Sequence, residues 1–114
     1  MKKVIALSAF FATLLVFSNC NSSKKVTTPA KVNYASGVET LVMANCSPCH
    51  IPSKGGNKLA LDSYTSVKDN IDAIVTRIEM DPGTRGFMPF KRPKLSDSTI
   101  AVFKQWKTDG LLEK

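Results

Sequence analysis

Cys46-Ser47-Pro48-Cys49-His50 is the stretch on which the reading of this chain turns. Two cysteines three positions apart are followed at once by a histidine, the only one among the 114 residues. Tetrahedral zinc needs four ligands, and beyond residue 33 the chain has only these two cysteines and this histidine, with no second cluster. A thioredoxin-like dithiol belongs in a βαβ context, and no convincing alternating strand pattern is present. A plain Cys46–Cys49 disulfide would leave the adjacent His50 without a role.

Cys-x-x-Cys-His is instead the pattern of covalent haem attachment. Each thiol forms a thioether with one haem vinyl group, and the following residue offers a neutral imidazole nitrogen to the iron. One haem c, bonded to Cys46 and Cys49 and ligated by His50, is the expected cofactor. Covalent attachment would retain it even in a small domain with a shallow pocket.

Working outward, Val38, Leu41 and Val42 fall at i, i+3 and i+4, the stripe of a helix running into Cys46. Pro52-Ser53-Lys54-Gly55-Gly56-Asn57 is a loop by composition. Asp62 or Ser63 caps a short helix over Tyr64 to Lys68, and a second helix carries Ile71, Ile74, Val75 and Ile78 on one face. Asp81-Pro82-Gly83-Thr84-Arg85-Gly86 ends that helix and opens a loop through Pro93. Ser96 or Asp97 caps a last helix with Ile100, Phe103 and Trp106 facing inward, and Gly110 ends it. The expected fold class is all-α, about four helices wrapped around one haem. A domain of about 80 residues has a small core, and a buried cofactor would serve as its staple.

A six-coordinate iron needs a second axial ligand, and with no other histidine a methionine is the natural donor. Met1 belongs to the N-terminal apolar segment, and Met43 lies three residues before Cys46. Met80 continues the apolar pattern of the Ile71–Ile78 helix. Met88 stands in the irregular stretch Gly86-Phe87-Met88-Pro89-Phe90, free of helix geometry, and is the expected ligand, with Met80 the alternative.

On these residues the domain resembles the class I cytochromes c. In that family an N-terminal helix enters the Cys-x-x-Cys-His motif, a later loop supplies methionine, often followed by proline, and a C-terminal helix crosses the first. The resemblance maps these parts onto Tyr34–Asn45, Cys46–His50, Met88-Pro89 and Asp97–Asp109, with Phe103 or Trp106 packing on the first helix near Gly37. Many members have Gly directly after the haem histidine and a Gly-Pro-x-Leu segment about a dozen residues on. This chain has Ile51 and Leu59-Ala60-Leu61 there, which leaves the acceptor of the His50 Nδ1–H bond unassigned. The resemblance implies a single-electron carrier between redox proteins rather than an enzyme. The other functions consistent with a bound haem are a ligand-binding sensor and a haem subunit of a larger redox complex.

The first nineteen residues read as an export signal: Lys2 and Lys3 precede an apolar run from Val4 to Phe17, fourteen residues where a spanning helix needs about 20. The run ends at Cys20, an arrangement that resembles the looser forms of the bacterial lipoprotein lipobox, in which that cysteine carries the lipid. Residues 20–33 are polar and read as a tether, and 34–114 as the domain. Together these imply a protein on the periplasmic side of a bacterial membrane, held there by lipid on Cys20. The net charge of +7 is uneven. Lys2, Lys3, Lys24, Lys25 and Lys31 precede Tyr34, and beyond it eleven Lys and Arg face nine Asp and Glu. A surplus of +2 that two haem propionates would cancel is no nucleic-acid-binding face. Arg85, Lys91, Arg92 and Lys94 gather around Met88, either as a solvated loop or as a positive rim that would steer an acidic partner. Replacing Cys20 with Ser should abolish incorporation of labelled fatty acid; a wild-type protein that takes up no label refutes the anchor.

Overall fold

A computed structural model describes residues 30–114. The expected signal segment 1–19, Cys20 and most of the expected tether lie outside the described residues. Within them the domain is all-α: four α-helices joined by loops, no strand, and no helix long and apolar enough to cross a membrane.

The chain joins the core already at Val32, whose N–H donates to Asp109 Oδ2 at 2.7 Å. Asn33 caps the first turn, its side-chain oxygen accepting from Ser36 N at 2.9 Å. That turn, Tyr34–Val38, is π-helical, with Glu39 N–H bonded to Tyr34 O, and it leads into α1, Glu39–Asn45. The expected helix is therefore present but wider at its start. Val38 and Val42 of its apolar stripe are buried and Leu41 is half-buried. Ser47 precedes Pro48, and proline disfavours α geometry in the residue before it and supplies no N–H, so the helix stops at Asn45. The Ser47–Pro48 and Met88–Pro89 peptides are both cis.

Helix α2, Tyr64–Asp69, starts at a capping box in which the Ser63 and Ser66 side chains each bond the other's backbone N–H. Only Asn70 separates it from α3, Ile71–Glu79, whose Ile71, Ile74 and Ile78 are buried; Val75, at the margin of that face, is half-buried. Ser96 caps α4, Asp97–Thr108, which buries Ile100, Phe103 and Trp106 at successive spacings of three. Surface ion pairs from Glu79 to Lys104 and from Asp72 to Lys107 link α3 with α4, and such exposed pairs contribute little.

At one end of the core Trp106 packs against Tyr34 and Tyr64, with ring centroids 6.0 and 6.3 Å away. The C-terminal segment closes over this cluster: Trp106 Nε1 and Tyr34 N–H both donate to Leu112 O at 2.8 Å, and Tyr64 Oη donates to Leu111 O at 2.9 Å. The last helix thus meets the first at the turn that contains Gly37, with Trp106 on Tyr34. A Cβ built on Gly37 would meet only Val32 Cγ1, at 3.7 Å.

Trp106 is fully buried and its ring nitrogen is bonded. Trp106→Ala should destabilise the domain by about 3–5 kcal/mol, the usual cost of emptying a large aromatic site. Equilibrium urea denaturation followed by circular dichroism measures it; a loss below about 1 kcal/mol would show that the aromatic cluster is dispensable.

Candidate functional site

The Cys46–His50 run continues α1 as turns, with Cys46 N bonded to Val42 O at 2.8 Å and His50 N to Cys46 O at 3.0 Å. Ser47 Oγ and Asn45 Nδ2 bond back to Met43 O and Leu41 O, both one turn earlier. These bonds seat the run firmly on the end of the helix.

The following segment folds back across the run. Lys58 N donates to Cys49 O at 3.0 Å and Leu61 N to His50 O at 2.8 Å, while Ile51 and Leu61 bury at either end of the segment. The contact is so close that a Cβ on Gly56 would lie 2.3 Å from Pro48 O and 2.7 Å from Cys49 O. Only glycine fits there. The approach also brings Leu59 O within 2.7 Å of His50 Nδ1. A carbonyl only accepts, so Nδ1 carries the proton and Nε2 of the neutral ring is left with its lone pair. Leu59 O is thus the acceptor that the residue pattern left unassigned, and it raises the donor strength of the imidazole.

His50 opens on a cleft of about 570 Å³, within the roughly 300–1,000 Å³ typical of cofactor sites. Cys46, Cys49 and Met88 line the same cleft, so the four residues picked out from the sequence converge although 38 positions separate His50 from Met88. Leu61, Ile74, Ile78, Leu95 and Phe103 form its apolar walls. The other methionines of the domain stay outside its lining. Met80 caps α3, its sulfur 3.8 Å from where a Cβ on Gly86 would stand, and Met43 packs against the core behind the cysteines.

Neither thiol is in a disulfide. Burial pushes the Cys46 thiol up to about 11, against the opposing pull of the Arg92 guanidinium. The free thiol stays protonated at neutral pH, which disfavours a redox nucleophile. Among the described residues no three His, Cys, Asp or Glu side chains are grouped to hold a metal ion by themselves. An iron already held by a macrocycle requires only two protein donors, one on each side.

Three cations line the cleft, Lys58, Arg77 and Arg92, and no carboxylate does. The positive rim differs from the expected one. Arg92 belongs to it and also donates to Asn45 O at 3.2 Å, but Lys94 turns away to Glu79 O at 2.8 Å, and Arg85 and Lys91 are not in the lining. Lys58 and Arg77 arrive from other parts of the chain, a convergence that local charge spacing does not reveal. Among the described residues the large apolar side chains left exposed are Leu59 and Phe90, and both stand at this cleft, where an apolar occupant would cover them.

Comparison of the chain with protein-family models, with curated proteins and with solved structures finds no match.

Gly56→Ala should lower the unfolding free energy by about 1–3 kcal/mol, because backbone atoms on the motif side must give way. Gly55→Ala, a left-handed position with open space around it, should cost about 1 kcal/mol, the backbone contribution alone. Denaturant titration of the two variants side by side checks the order, and equal losses would mean that the close approach carries no weight.

Proposed function

We propose that this chain is a monohaem c-type cytochrome that carries single electrons between redox proteins. The observation that carries the reading is the convergence of Cys46, Cys49, His50 and Met88 on one apolar cleft whose charged lining is wholly cationic. A flat apolar macrocycle with two carboxylates on one edge suits walls and rim of this kind. The two thiols would hold it as thioethers, and His50 Nε2 and the Met88 sulfur would be its two protein donors. Haem so held supplies a one-electron ferric–ferrous couple.

The protein's own groups do the rest. Leu59 O holds the imidazole in the tautomer that donates from Nε2. Met88, a soft thioether, favours the ferrous state and raises the potential. The apolar walls exclude water, which limits reorganisation when charge changes. The sole histidine is tied to Leu59 and the cleft lining offers no Asp or Glu, so the site lacks the acid–base pair that catalysis above a haem requires. That supports a carrier over an enzyme. The cytochrome c-like wrapping of the helices belongs to the same proposal, as do export to the periplasmic side and lipid anchoring through Cys20.

The protein matured in cells with an active haem-attachment pathway should give a band at its own mass when a denaturing gel is stained for haem peroxidase activity. Absence of that band refutes the reading. The ferric protein should show the weak far-red charge-transfer band of methionine ligation. Met88→Ala should remove that band, lower the reduction potential and open the ferrous iron to carbon monoxide, whereas Met80→Ala should leave all three unchanged. Ready carbon monoxide binding by the wild type would favour a ligand-binding sensor instead.

A further inference from the structure

We infer that Arg77 is the positioning residue for Met88, holding the loop that presents its sulfur. The inference rests on the haem reading above, with Met88 as sixth ligand. Methionine has three rotatable side-chain bonds, so the place of its sulfur depends on how firmly its backbone is held. Met88 lies in a loop with no helical or sheet bonds of its own. Between Pro82 and Met88 the hydrogen bonds that tie this loop to a helix both go to one residue. Met88 N–H donates to Arg77 O at 3.1 Å, and the Arg77 guanidinium donates through Nη1 to Gly86 O at 3.1 Å. The remaining bonds of the stretch, Thr84 N to Asp81 O and Phe87 N to Thr84 O, close local turns and reach no helix.

The two contacts bracket Phe87, which is buried. Arg77 stands in the last turn of α3, its backbone held between the buried Ile74 and Ile78 and its side chain exposed. Its main chain takes hold of one end of the bracket and its side chain the other. Gly86 fits this arrangement twice over. Its φ of +96° is left-handed, and a Cβ there would come within 2.9 Å of Arg77 Nη1. The guanidinium occupies the space a side chain would need.

The same residue lines the cleft, so its loss would be felt on the methionine side of the iron. Lysine at this position keeps one donor but lacks the planar fork and its fixed geometry.

The test uses the haem-loaded full chain and titrates the ferric protein with imidazole, which competes with the sulfur for iron. Arg77→Met should weaken the far-red methionine band and tighten apparent imidazole binding roughly tenfold, since a hydrogen bond from a charged donor is lost. Arg77→Lys should fall between that variant and wild type. Gly86→Ala should shift both readouts in the same direction by displacing the guanidinium. Val67→Ala removes packing in α2 at a buried residue outside the cleft lining; it should lower stability while leaving the band and the imidazole affinity as in wild type. If Arg77→Met retains the wild-type band and affinity, the positioning role is wrong and the haem reading stands. If Val67→Ala tightens imidazole binding as much as Arg77→Met does, general loosening is the cause and the role is again wrong. A wild-type protein without the methionine band overturns the ligand reading and this inference together.

Discussion

The site depends on the contact of the 52–61 segment with the Cys46–His50 run, backbone against backbone. At Gly56 there is no room for even a methyl group. That approach lets Lys58 and Leu61 bond the carbonyls of Cys49 and His50, and it carries Leu59 O to the imidazole. Buried Ile51 and Leu61 hold the ends of the segment in the core. The direction of the histidine ring and the floor of the cleft therefore depend on one piece of backbone packing. A shift of a few tenths of an ångström there would move both.

The cleft is the unfinished side of the hydrophobic core. Ile74, Ile78 and Phe103 are core residues that also face it, so the helices that stabilise the domain also shape the site. At the other end the same helices are closed by Trp106, Tyr34, Tyr64 and the C-terminal segment. A chain of this size buries a smaller fraction of its surface than a large domain does. An occupant that covered Leu59 and Phe90 would add the apolar burial that the side chains do not reach by themselves.

The loop that carries Met88 is held in a different way. The histidine side is packed through continuous backbone contact, whereas residues 82–88 hang from α3 by two bonds to Arg77 and by the buried Phe87. In the proposed cytochrome that difference would make the methionine side the exchangeable one. Regions with few bonds to the body of a fold open more readily than regions with many.

Much of the architecture was legible in local pattern. The spacing of Ile71, Ile74 and Ile78, the serines at 63 and 96, and the stop at Asp109-Gly110 are signals within a single helix, and the helices lie where those signals put them. The five residues from Cys46 to His50 stood out for the same reason, since the attachment geometry proposed for them depends on spacing within one turn. The π-helical first turn was not legible, because it differs from an α-turn only in which carbonyl accepts. Trp106 was expected on the first helix, and that its ring meets Tyr34 there follows from how the two helices cross. The acceptor for His50, the role of Gly56 and the cations Lys58, Arg77 and Arg92 at the cleft all depend on loops whose conformation has no periodicity to read. The sequence alone determined which helices form and where they start and stop, and it singled out the Cys46–His50 run, because those are short-range matters of spacing and capping. Only the tertiary structure decided what stands beside His50 and that Met88, not Met80, lines the cleft it opens on, because backbone contacts between distant segments make those choices.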